Sequence, residues 1–379
     1  MGGDATTLFL CGDVMLGRGV DQMLPHPGDP ELREPYIRDS RAYVELTEEA
    51  HGRVPHPADY AWPWGDALRV LEETAPDARV VNLETSVTRS DEFAPGKSVH
   101  YRMSPANLPA LAAGRPDVCV LANNHVLDFG RHGLVETLDA LAGARLRVAG
   151  AGRDAAAARR PAAVPVRGGR RVLVFSCGTG SSGIPYEWAA AEHDPGVDFL
   201  PELSEARAAR FARRIRQLKR PGDIAVVSIH WGGNWGYRVS DDQIRFAHAL
   251  VDGGADVVHG HSSHHPRPLE VYRGKLVLYG CGDFIDDYEG ITGYEEYRDD
   301  LRLMYFVAVA PDTGELAGIR MVPMRARRMR LCHATPGDAR WLRTVLDRVS
   351  ADFGSHVVLD RDGALSLERT LTAGTGTER

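Results

Sequence analysis

Four histidines lie close together in the second half of the chain: His259, His261, His264 and His265. The residues between them are Gly and Ser. Neutral imidazole is the commonest metal ligand in proteins, and a cluster at the end of a strand can direct two rings into one site. A single histidine is more often a core or surface residue, but four in one short segment favour metal ligation.

Other residues that can ligate a divalent metal are spread along the chain. They are Asp13, Glu84, the triplet Asn123-Asn124-His125, and His230. Carboxylate, amide and imidazole donors suit Mn, Fe, Zn or Mg, whereas a structural zinc site typically uses paired cysteines. The five cysteines stand far apart without a C-x-x-C pair, which favours reduced thiols. These residue types predict a divalent metal site.

The candidate ligands follow short apolar runs that are typical of buried strands. The runs are 7–11, 79–81, 118–121, 172–175, 224–229, 257–258 and 276–279. They are rich in β-branched residues and end at small or polar ones, and helical patterns such as 134–142 and 205–218 lie between some of them. The alternation predicts an α/β layered domain, in which ligands bind at the carboxyl ends of the strands.

The composition excludes several classes of protein. The 379 residues are 43% hydrophobic with a formal net charge of -7, which argues against a protein that coats nucleic acid. No apolar run approaches the length of a membrane span, and the first residues lack a cationic stretch followed by an apolar run. The sequence therefore predicts a cytoplasmic protein with no nucleic-acid or membrane partner, and it leaves the oligomeric state open.

Two regions depart from the alternation of strands and helices. Residues 25–63 are rich in proline, carboxylates and aromatic rings, which predicts an insertion rather than a linker. This insertion either caps the active-site edge or packs as a surface excursion. We expect a catalytic domain over residues 1–330, followed by residues 331–379 with one helix over 339–349 and a frayed tail over 372–379.

Five motifs occur in an order that resembles a known family. They are Gly12-Asp13-Val14-Met15-Leu16-Gly17-Arg18, Asn82-Leu83-Glu84, Asn123-Asn124-His125, His230-Trp231-Gly232 and Gly260-His261-x-x-His264. The set resembles the CapA family, which is named for poly-γ-glutamate capsule synthesis and belongs to the calcineurin-like metallophosphoesterase superfamily. The resemblance spans roughly residues 6–290. It implies a four-layer α/β/β/α sandwich with metals at the carboxyl ends of the strands.

The resemblance also implies a role for each matching residue. The implied metal ligands are Asp13, Glu84 as the bridging carboxylate, Asn124, His230, His261 and His264. His125 corresponds to the histidine that faces the scissile group, where it would protonate the leaving group or stabilise the developing charge. Separately, Arg18 is expected either to hold an anionic group of the substrate by a bidentate contact or to be a surface arginine that starts a helix.

Several positions depart from the superfamily pattern. Met15 stands where the opening motif usually carries a histidine, so one metal is expected to lack a ligand. Ser262-Ser263 stand where CapA proteins commonly show a His-Pro-His pattern. Asp283 stands where the family typically has Asn, and this carboxylate is expected to replace the missing ligand or to hold a ligating histidine from behind. His259 is a further candidate for either task.

These residues predict a metal-dependent hydrolase. Two divalent ions, expected to be Mn, Fe or Zn, would lower the pKa of a bridging water toward about 7, and no other cofactor is expected. The favoured substrate is a small anionic phosphoester. One alternative is a glutamyl-containing substrate, with an amide or γ-glutamyl bond cleaved at the same site. A second alternative is a non-catalytic accessory protein of polymer synthesis, for which Met15 is the best support.

Overall fold

The computed structural model describes residues 5–310 and 312–368. Its strands are β1 (Thr6–Val14), β2 (Ala78–Leu83), β3 (Ser86–Val87), β4 (Arg102–Met103), β5 (Val118–Val120), β6 (Arg147–Ala149), β7 (Ala151–Gly152), β8 (Ala162–Pro165), β9 (Arg171–Thr179), β10 (Gly196–Val197), β11 (Phe199–Leu200), β12 (Ile224–His230), β13 (Val257–His261), β14 (Leu269–Tyr272), β15 (Lys275–Leu278), β16 (Asp283–Ile285), β17 (Leu301–Val309), β18 (Leu316–Ala326), β19 (Leu331–His333), β20 (Val357–Leu359) and β21 (Leu365–Leu367). Its α-helices are α1 (Arg18–Met23), α2 (Arg41–His51), α3 (Ala67–Thr74), α4 (Pro109–Ala113), α5 (Gly130–Gly143), α6 (Ala155–Ala158), α7 (Glu205–Leu218), α8 (Asp241–Asp252) and α9 (Pro336–Ser350).

Most of the strands belong to two large sheets. The first has ten strands in the order β20-β21-β18-β17-β1-β2-β5-β6, with β16 beside β1 and β19 beside β18. The second has seven strands in the order β11-β9-β12-β13-β15-β14, with β8 beside β9. Strands β1, β2, β5 and β6 run parallel, as do β9, β12, β13 and β15. In each sheet these parallel strands bring their carboxyl ends to one edge.

The buried apolar side chains form three clusters that separate four layers. Along β1, Leu8 and Leu10 belong to a central cluster shared with strands of the second sheet. Phe9, on the opposite face of β1, belongs to an outer cluster that includes Leu134 of α5. A third cluster packs the second sheet against α7 and α8, with Phe246 among its members. The resulting α/β/β/α order confirms the predicted fold class.

The strands that carry the site are buried on both faces. All seven residues of β12 are buried, as are all five of β13. A parallel strand covered by helices on one side and a sheet on the other needs a continuous apolar run, and this is why the runs 224–229 and 257–258 were recognisable.

Gly12 allows β1 to approach β16, because a Cβ atom there would lie 1.5 Å from the Gly282 carbonyl oxygen.

Residues 331–368 continue the first sheet. Strands β20 and β21 extend it beyond β18, and α9 buries Leu342 and Leu346 in the central cluster. Helix α9 confirms the predicted helix and is longer than 339–349. The predicted tail at 372–379 lies outside the described residues, and the division of the chain at residue 330 stays a prediction. None of the described helices combines the length and apolar character that crossing a membrane requires.

Candidate metal centre

Strand register brings the predicted ligands to one edge. In the first sheet, Asp13 of β1 is paired with Asp283 of β16, and Glu84 directly follows β2. In the second sheet, His230 and His261 are partners at the ends of β12 and β13. The carboxyl ends of the two sheets therefore meet, and residues far apart in the sequence face each other there.

Five of the predicted ligands form a group that we call the strand-end cluster: Asp13, Glu84, Asn124, His230 and His261. Ligand atoms of Asp13, His230 and His261 all lie within 4.8 Å of one another. His230 Nδ1 is 2.7 Å from His261 Nδ1, and His230 Nε2 is 2.8 Å from Asn124 Oδ1 and 3.7 Å from Glu84 Oε1. The fold thus brings these five side chains into one compact group.

A chain of hydrogen bonds behind the cluster sets the proton positions on His261. His259 Nε2 donates to the Cys11 carbonyl at 2.8 Å, so its Nδ1 accepts from Ser228 Oγ at 3.1 Å. Ser228 Oγ in turn accepts from His261 Nε2 at 2.8 Å. Burial lowers the pKa of His259 to about 4 and that of His261 well below its usual value, so both rings are neutral. His261 therefore presents an unprotonated Nδ1, and His259 supports it from behind rather than facing the site.

His230 meets a hydrogen-bond acceptor at each of its two ring nitrogens. Burial lowers its pKa well below the usual value, and a neutral imidazole carries only one N–H. Its Nδ1 faces the unprotonated Nδ1 of His261, and its Nε2 faces Asn124 Oδ1. If Nδ1 carries the proton, the bare Nε2 faces the Asn124 oxygen, and two acceptors meet. If Nε2 carries it, the bare Nδ1 faces the bare Nδ1 of His261, and two acceptors meet there instead. A cation bound at either contact removes the conflict, because the other ring nitrogen then carries the N–H and donates it to its acceptor.

The buried carboxylates of the cluster also favour a cation. Asp13 and Glu84 are 1% and 5% exposed, and Asn82 Nδ2 donates to both at 2.8 and 2.9 Å. Burial, together with the neighbouring Asp283 carboxylate, raises the pKa of Asp13 to about 7. Burial and the Asp13 carboxylate raise the pKa of Glu84 well above its usual value. A divalent ion would allow both groups to ionise, so this donor set fits the metal that the motifs imply.

Two further candidates, His264 and Asp283, lie together with Asn234 and Tyr288. We call these four residues the loop cluster. His264 Nδ1 is 3.0 Å from Asp283 Oδ2, which also accepts from the Tyr288 hydroxyl at 2.6 Å. His264 Nε2 accepts from Asn234 Nδ2 at 2.9 Å. Burial alone would lower the pKa of His264, but the Asp283 carboxylate outweighs it and the pKa is raised. Of the two arrangements predicted for Asp283, the structure contains the one in which it holds a candidate ligand.

His125 is held in place by a carboxylate and a lysine. Its Nδ1 donates to Asp128 Oδ2 at 2.6 Å, and Lys97 Nζ is 2.5 Å from Asp128 Oδ1. Its Nε2 is 4.0 Å from Glu84 Oε1. Burial lowers the pKa of His125 to about 4 although Asp128 opposes the shift, so Nε2 is unprotonated near neutral pH. In this state His125 accepts a proton, and it must take one up before it can protonate a leaving group.

Arg18 is buried and its guanidinium is already paired. Its Nε and Nη2 contact the two Asp287 oxygens at 3.0 and 2.5 Å, and Nη1 donates to Glu34 at 2.8 Å. The guanidinium carbon lies 4.0 and 4.3 Å from the ring centres of Tyr43 and Tyr101. The expectation of a surface arginine is wrong, because the side chain is only 5% exposed. The bidentate contact predicted with a substrate anion is made with Asp287 instead.

Both clusters open into a cleft of about 860 Å³. Its lining includes Met15, Glu84, Asn124, His125 and His264. From the insertion, α2 contributes Tyr43, Leu46, Thr47, Ala50 and His51 to the same lining, while Val44 packs in the outer cluster below. Residues of 25–63 therefore border the cleft and pack on the core at once.

Comparison with known proteins identifies the family. Residues 7–288 match the family described as "Bacterial capsule synthesis protein PGA_cap". The chain belongs to this family. It is 54% identical over 365 residues, 96% of each chain, to a "Probable polyglutamine synthesis accessory protein" of Mycobacterium tuberculosis. It is 31% identical over 303 residues to the "PGA biosynthesis protein CapA" of Bacillus subtilis, covering 80% of this chain and 68% of that protein.

A solved structure, that of a 5'-nucleotidase precursor from Thermus thermophilus, aligns with a TM-score of 0.46 and 18% identity, covering 92% of this chain and 59% of that one. The CapA resemblance drawn from the motifs is confirmed by the family match and by the two relatives. The roles of individual residues stay predictions.

Sequence reasoning missed several residues that contact the predicted ones. They are Lys97, Asp128, Ser228, Asn234 and Tyr288. Asp128 carried a signal, because a carboxylate three residues after a candidate histidine in the same loop can reach its ring. Lys97, Ser228 and Asn234 had none, because the predicted residues they contact lie at least 27 residues away in the sequence. Tyr288 lies five residues after Asp283, but a tyrosine at that spacing is no signal of a site by itself.

Proposed function

We propose that this protein is a metal-dependent hydrolase whose metal site is the strand-end cluster. The observation that supports this most directly is the acceptor placed against each nitrogen of neutral His230. Asp13, Glu84 and Asn124 complete an oxygen and imidazole donor set that suits Mn, Fe or Zn. When bound, such an ion supplies a water of lowered pKa and Lewis acidity toward the substrate. A second ion would be held by the loop cluster together with the carboxylates.

His125 moves the proton in this proposal. Its Nε2 faces the cleft beside Glu84, where it accepts the proton released by the attacking water and then delivers it to the leaving group. Asp128 accepts the Nδ1 hydrogen bond and so keeps the ring in the orientation that exposes Nε2. Lys97 neutralises Asp128 on its other oxygen.

We propose a small anionic phosphoester as the substrate, because the motifs resemble those of metallophosphoesterases. A second candidate is an amide or γ-glutamyl bond in a glutamyl-containing substrate. The names of the two relatives, which refer to polyglutamine and PGA synthesis, favour this second candidate. A third possibility, a non-catalytic accessory protein, follows from the word "accessory" in one of those names and from Met15.

We also propose that the protein works in the cytoplasm, without a nucleic-acid or membrane partner. All five cysteines are free thiols, which suits a reducing compartment. Fractionation of cells that express the full natural gene tests this location.

The experiment for the proposed activity begins with protein purified without chelator. Metal analysis after Mn or Zn reconstitution should give at least about one ion per chain, because the donor set is preformed. A panel of phosphoesters and γ-glutamyl amides with added Mn should then show turnover in one class. Asp13→Asn, Glu84→Gln and His230→Ala should each lose metal or activity while remaining folded by circular dichroism, whereas His193→Ala, at an 89% exposed histidine, should lose neither.

Two outcomes would contradict the proposal. Metal content below about one ion per chain after reconstitution would remove the metal site. Bound metal with no turnover of either substrate class would remove the hydrolase and leave the accessory protein as the better description.

A further inference from the structure

A second cavity lies beside the cleft into which both clusters open, which we call the metal cleft. Its volume is about 740 Å³, and its lining includes Ser181, Gly232, Trp235, Gln243 and Arg267. Trp235 also lines the metal cleft. The two spaces therefore border the same segment, which directly follows the candidate ligand His230.

Arg267 is a buried cation that has no counter-ion in the part of the chain that the structure describes. The residue is 5% exposed, and its Nη2 donates to the Arg238 backbone carbonyl. Its Nε and Nη1 atoms have no hydrogen-bond partner among residues 5–310 and 312–368. Burial lowers its pKa to about 10 with no carboxylate opposing the shift. Burying an unpaired guanidinium is strongly unfavourable. An anion that binds there supplies the missing counter-charge, so its electrostatic interaction with Arg267 is strongly favourable.

Gln243 supplies a second unpaired donor to the same place. Its Oε1 accepts from the Ser240 backbone N–H at 3.2 Å, as part of the capping box that begins α8. This bond fixes the orientation of the amide, so Nε2 is turned the other way, where it has no partner in the described part of the chain. Gln243 is 5% exposed, like Arg267.

The two donors face one small space. A Cβ atom on Gly232 would lie 3.0 Å from Arg267 Nη1 and 3.1 Å from Gln243 Nε2. Glycine at this position, with a φ of +81°, therefore keeps open the space beside both groups. The acidic residues that line the cavity, Glu202 and Asp242, are each within ion-pair distance of an arginine of their own, Arg207 and Arg245.

We propose that this cavity is an oxyanion subsite, in which Arg267 and Gln243 bind a carboxylate or phosphate group of a substrate that extends from the metal cleft. The Arg267 Nη1 and Gln243 Nε2 groups suit either oxyanion, because together they offer N–H donors to two oxygens and the guanidinium adds a positive charge. The link to the cleft rests on the proposed hydrolase function, whereas the binding of an anion at Arg267 does not. An extended substrate with repeated anionic groups would occupy both spaces.

The test compares anion binding by the metal-loaded full chain with that of two variants. Arg267→Met removes the cation, and Gln243→Glu keeps the oxygen that caps α8 while placing a carboxylate beside Arg267. Calorimetric titration uses inorganic phosphate and N-acetylglutamate at constant ionic strength. Both variants should bind the preferred anion at least about tenfold more weakly, the ratio expected from losing one charge-assisted contact. Arg343→Gln, which removes an exposed arginine of α9, is the matched control and should bind like the wild type.

The variants also report through stability. The preferred anion should raise the melting temperature of the wild type but not that of Gln243→Glu, whose own carboxylate already pairs with Arg267. Preference for phosphate would indicate a phosphate-bearing substrate, and preference for N-acetylglutamate a carboxylate-bearing one. Equal affinity in wild type and both variants would overturn the proposal.

The same titration on His230→Ala separates this proposal from the hydrolase. That variant should lose metal and keep the Arg267-dependent anion binding. Retained turnover in His230→Ala would contradict the hydrolase proposal alone, whereas loss of the difference between wild type and Arg267→Met would contradict the subsite alone.

Discussion

The strand-end cluster and the loop cluster lie side by side but satisfy their polar atoms differently. In the strand-end cluster, His230 has an acceptor at both nitrogens, and burial raises the pKa values of Asp13 and Glu84, with the Asp283 carboxylate adding to the shift of Asp13 and the Asp13 carboxylate to that of Glu84. In the loop cluster, both nitrogens of His264 have partners, with Asn234 on one side and Asp283 on the other. The first group thus sets acceptor against acceptor at His230, whereas in the second both ring nitrogens of His264 are paired.

The difference has a physical origin in what surrounds each group. The strand-end cluster is built from strand termini that the two sheets hold in fixed register. The loop cluster depends on the segments around His264 and Tyr288, and Met15 offers a thioether where a further imidazole is expected. A metal at His264 must also displace a hydrogen bond that the ring already makes. We therefore expect one tightly bound ion and one weakly bound ion.

Removing one histidine from each cluster should show the difference in metal affinity between them most clearly. His230→Ala should lose the tight ion and all measurable turnover, because it removes a central donor of the strand-end cluster. His264→Ala should keep the tight ion and lose only the weak one. Metal content by mass spectrometry after dialysis, read beside turnover, checks both variants, and equal metal loss in the two would show that the clusters form one inseparable site.

The second prediction separates the proton-transfer residue from its neighbouring ligand. His125→Ala should keep nearly full metal occupancy and lose about 10²–10⁴-fold in turnover, which is the usual range for a lost proton-transfer group. Asn124→Ala should instead weaken metal binding, because Asn124 Oδ1 belongs to the strand-end cluster.

Substrates with good leaving groups sharpen this pair of variants, since they need little proton donation and should suffer less from His125→Ala. A loss of metal in His125→Ala as large as in Asn124→Ala would make His125 a ligand. Unchanged turnover across all leaving groups would make it structural.

The third prediction concerns the hydrogen-bond chain behind His261. Ser228→Ala removes the hydroxyl that joins His259 to His261 and should weaken metal binding about 10–100-fold, as loss of an outer partner of a metal ligand generally does. Ser176→Ala is the matched control, because Ser176 pairs with Ser228 in strand register and its buried hydroxyl has no partner in the described residues. Titration with a competing chelator measures both, and similar affinities in the two variants would contradict the role given to the chain.

The smallest expected effect is a gain in affinity for the weakly bound ion. Met15→His should tighten the weak ion by about tenfold, because it adds an imidazole to the cleft that Met15 and His264 both line. Met15→Leu, which changes volume little and adds no ligand, should leave binding unchanged. Metal stoichiometry at graded Mn concentration distinguishes the two variants, and no difference between them would mean that position 15 lies outside the second site.

Much of the site was predictable because it depends on local patterns. Short apolar runs followed by Asp, Glu, Asn or His predicted strands with candidate ligands at their carboxyl ends, and β1, β2, β5, β12 and β13 confirm the strands. The order of the motifs predicted the family and the four layers. These features can be recognised in the sequence alone, because a buried strand and the residue that ends it occupy a few consecutive positions.

The choice that the sequence left open for His259 has a physical cause as well. His259 and His261 lie two residues apart on β13 and so face the same side of the strand, yet one lies level with His230 and the other with Ser228. Depth along a strand relative to its neighbour is set by register between strands, which no pattern within β13 contains. Position alone thus makes one histidine a candidate ligand and the other its support.

The sequence by itself determined the kinds of donor, their attachment to strand ends and the fold class. The tertiary structure decided which donors meet and which are already paired. Arg18 is bound by Asp287, 269 residues away, whereas among the described residues no carboxylate pairs with Arg267. Whether a charge is free or neutralised depends on groups within a few ångströms in space, and contacts of that range between distant segments exist only after the two sheets have packed.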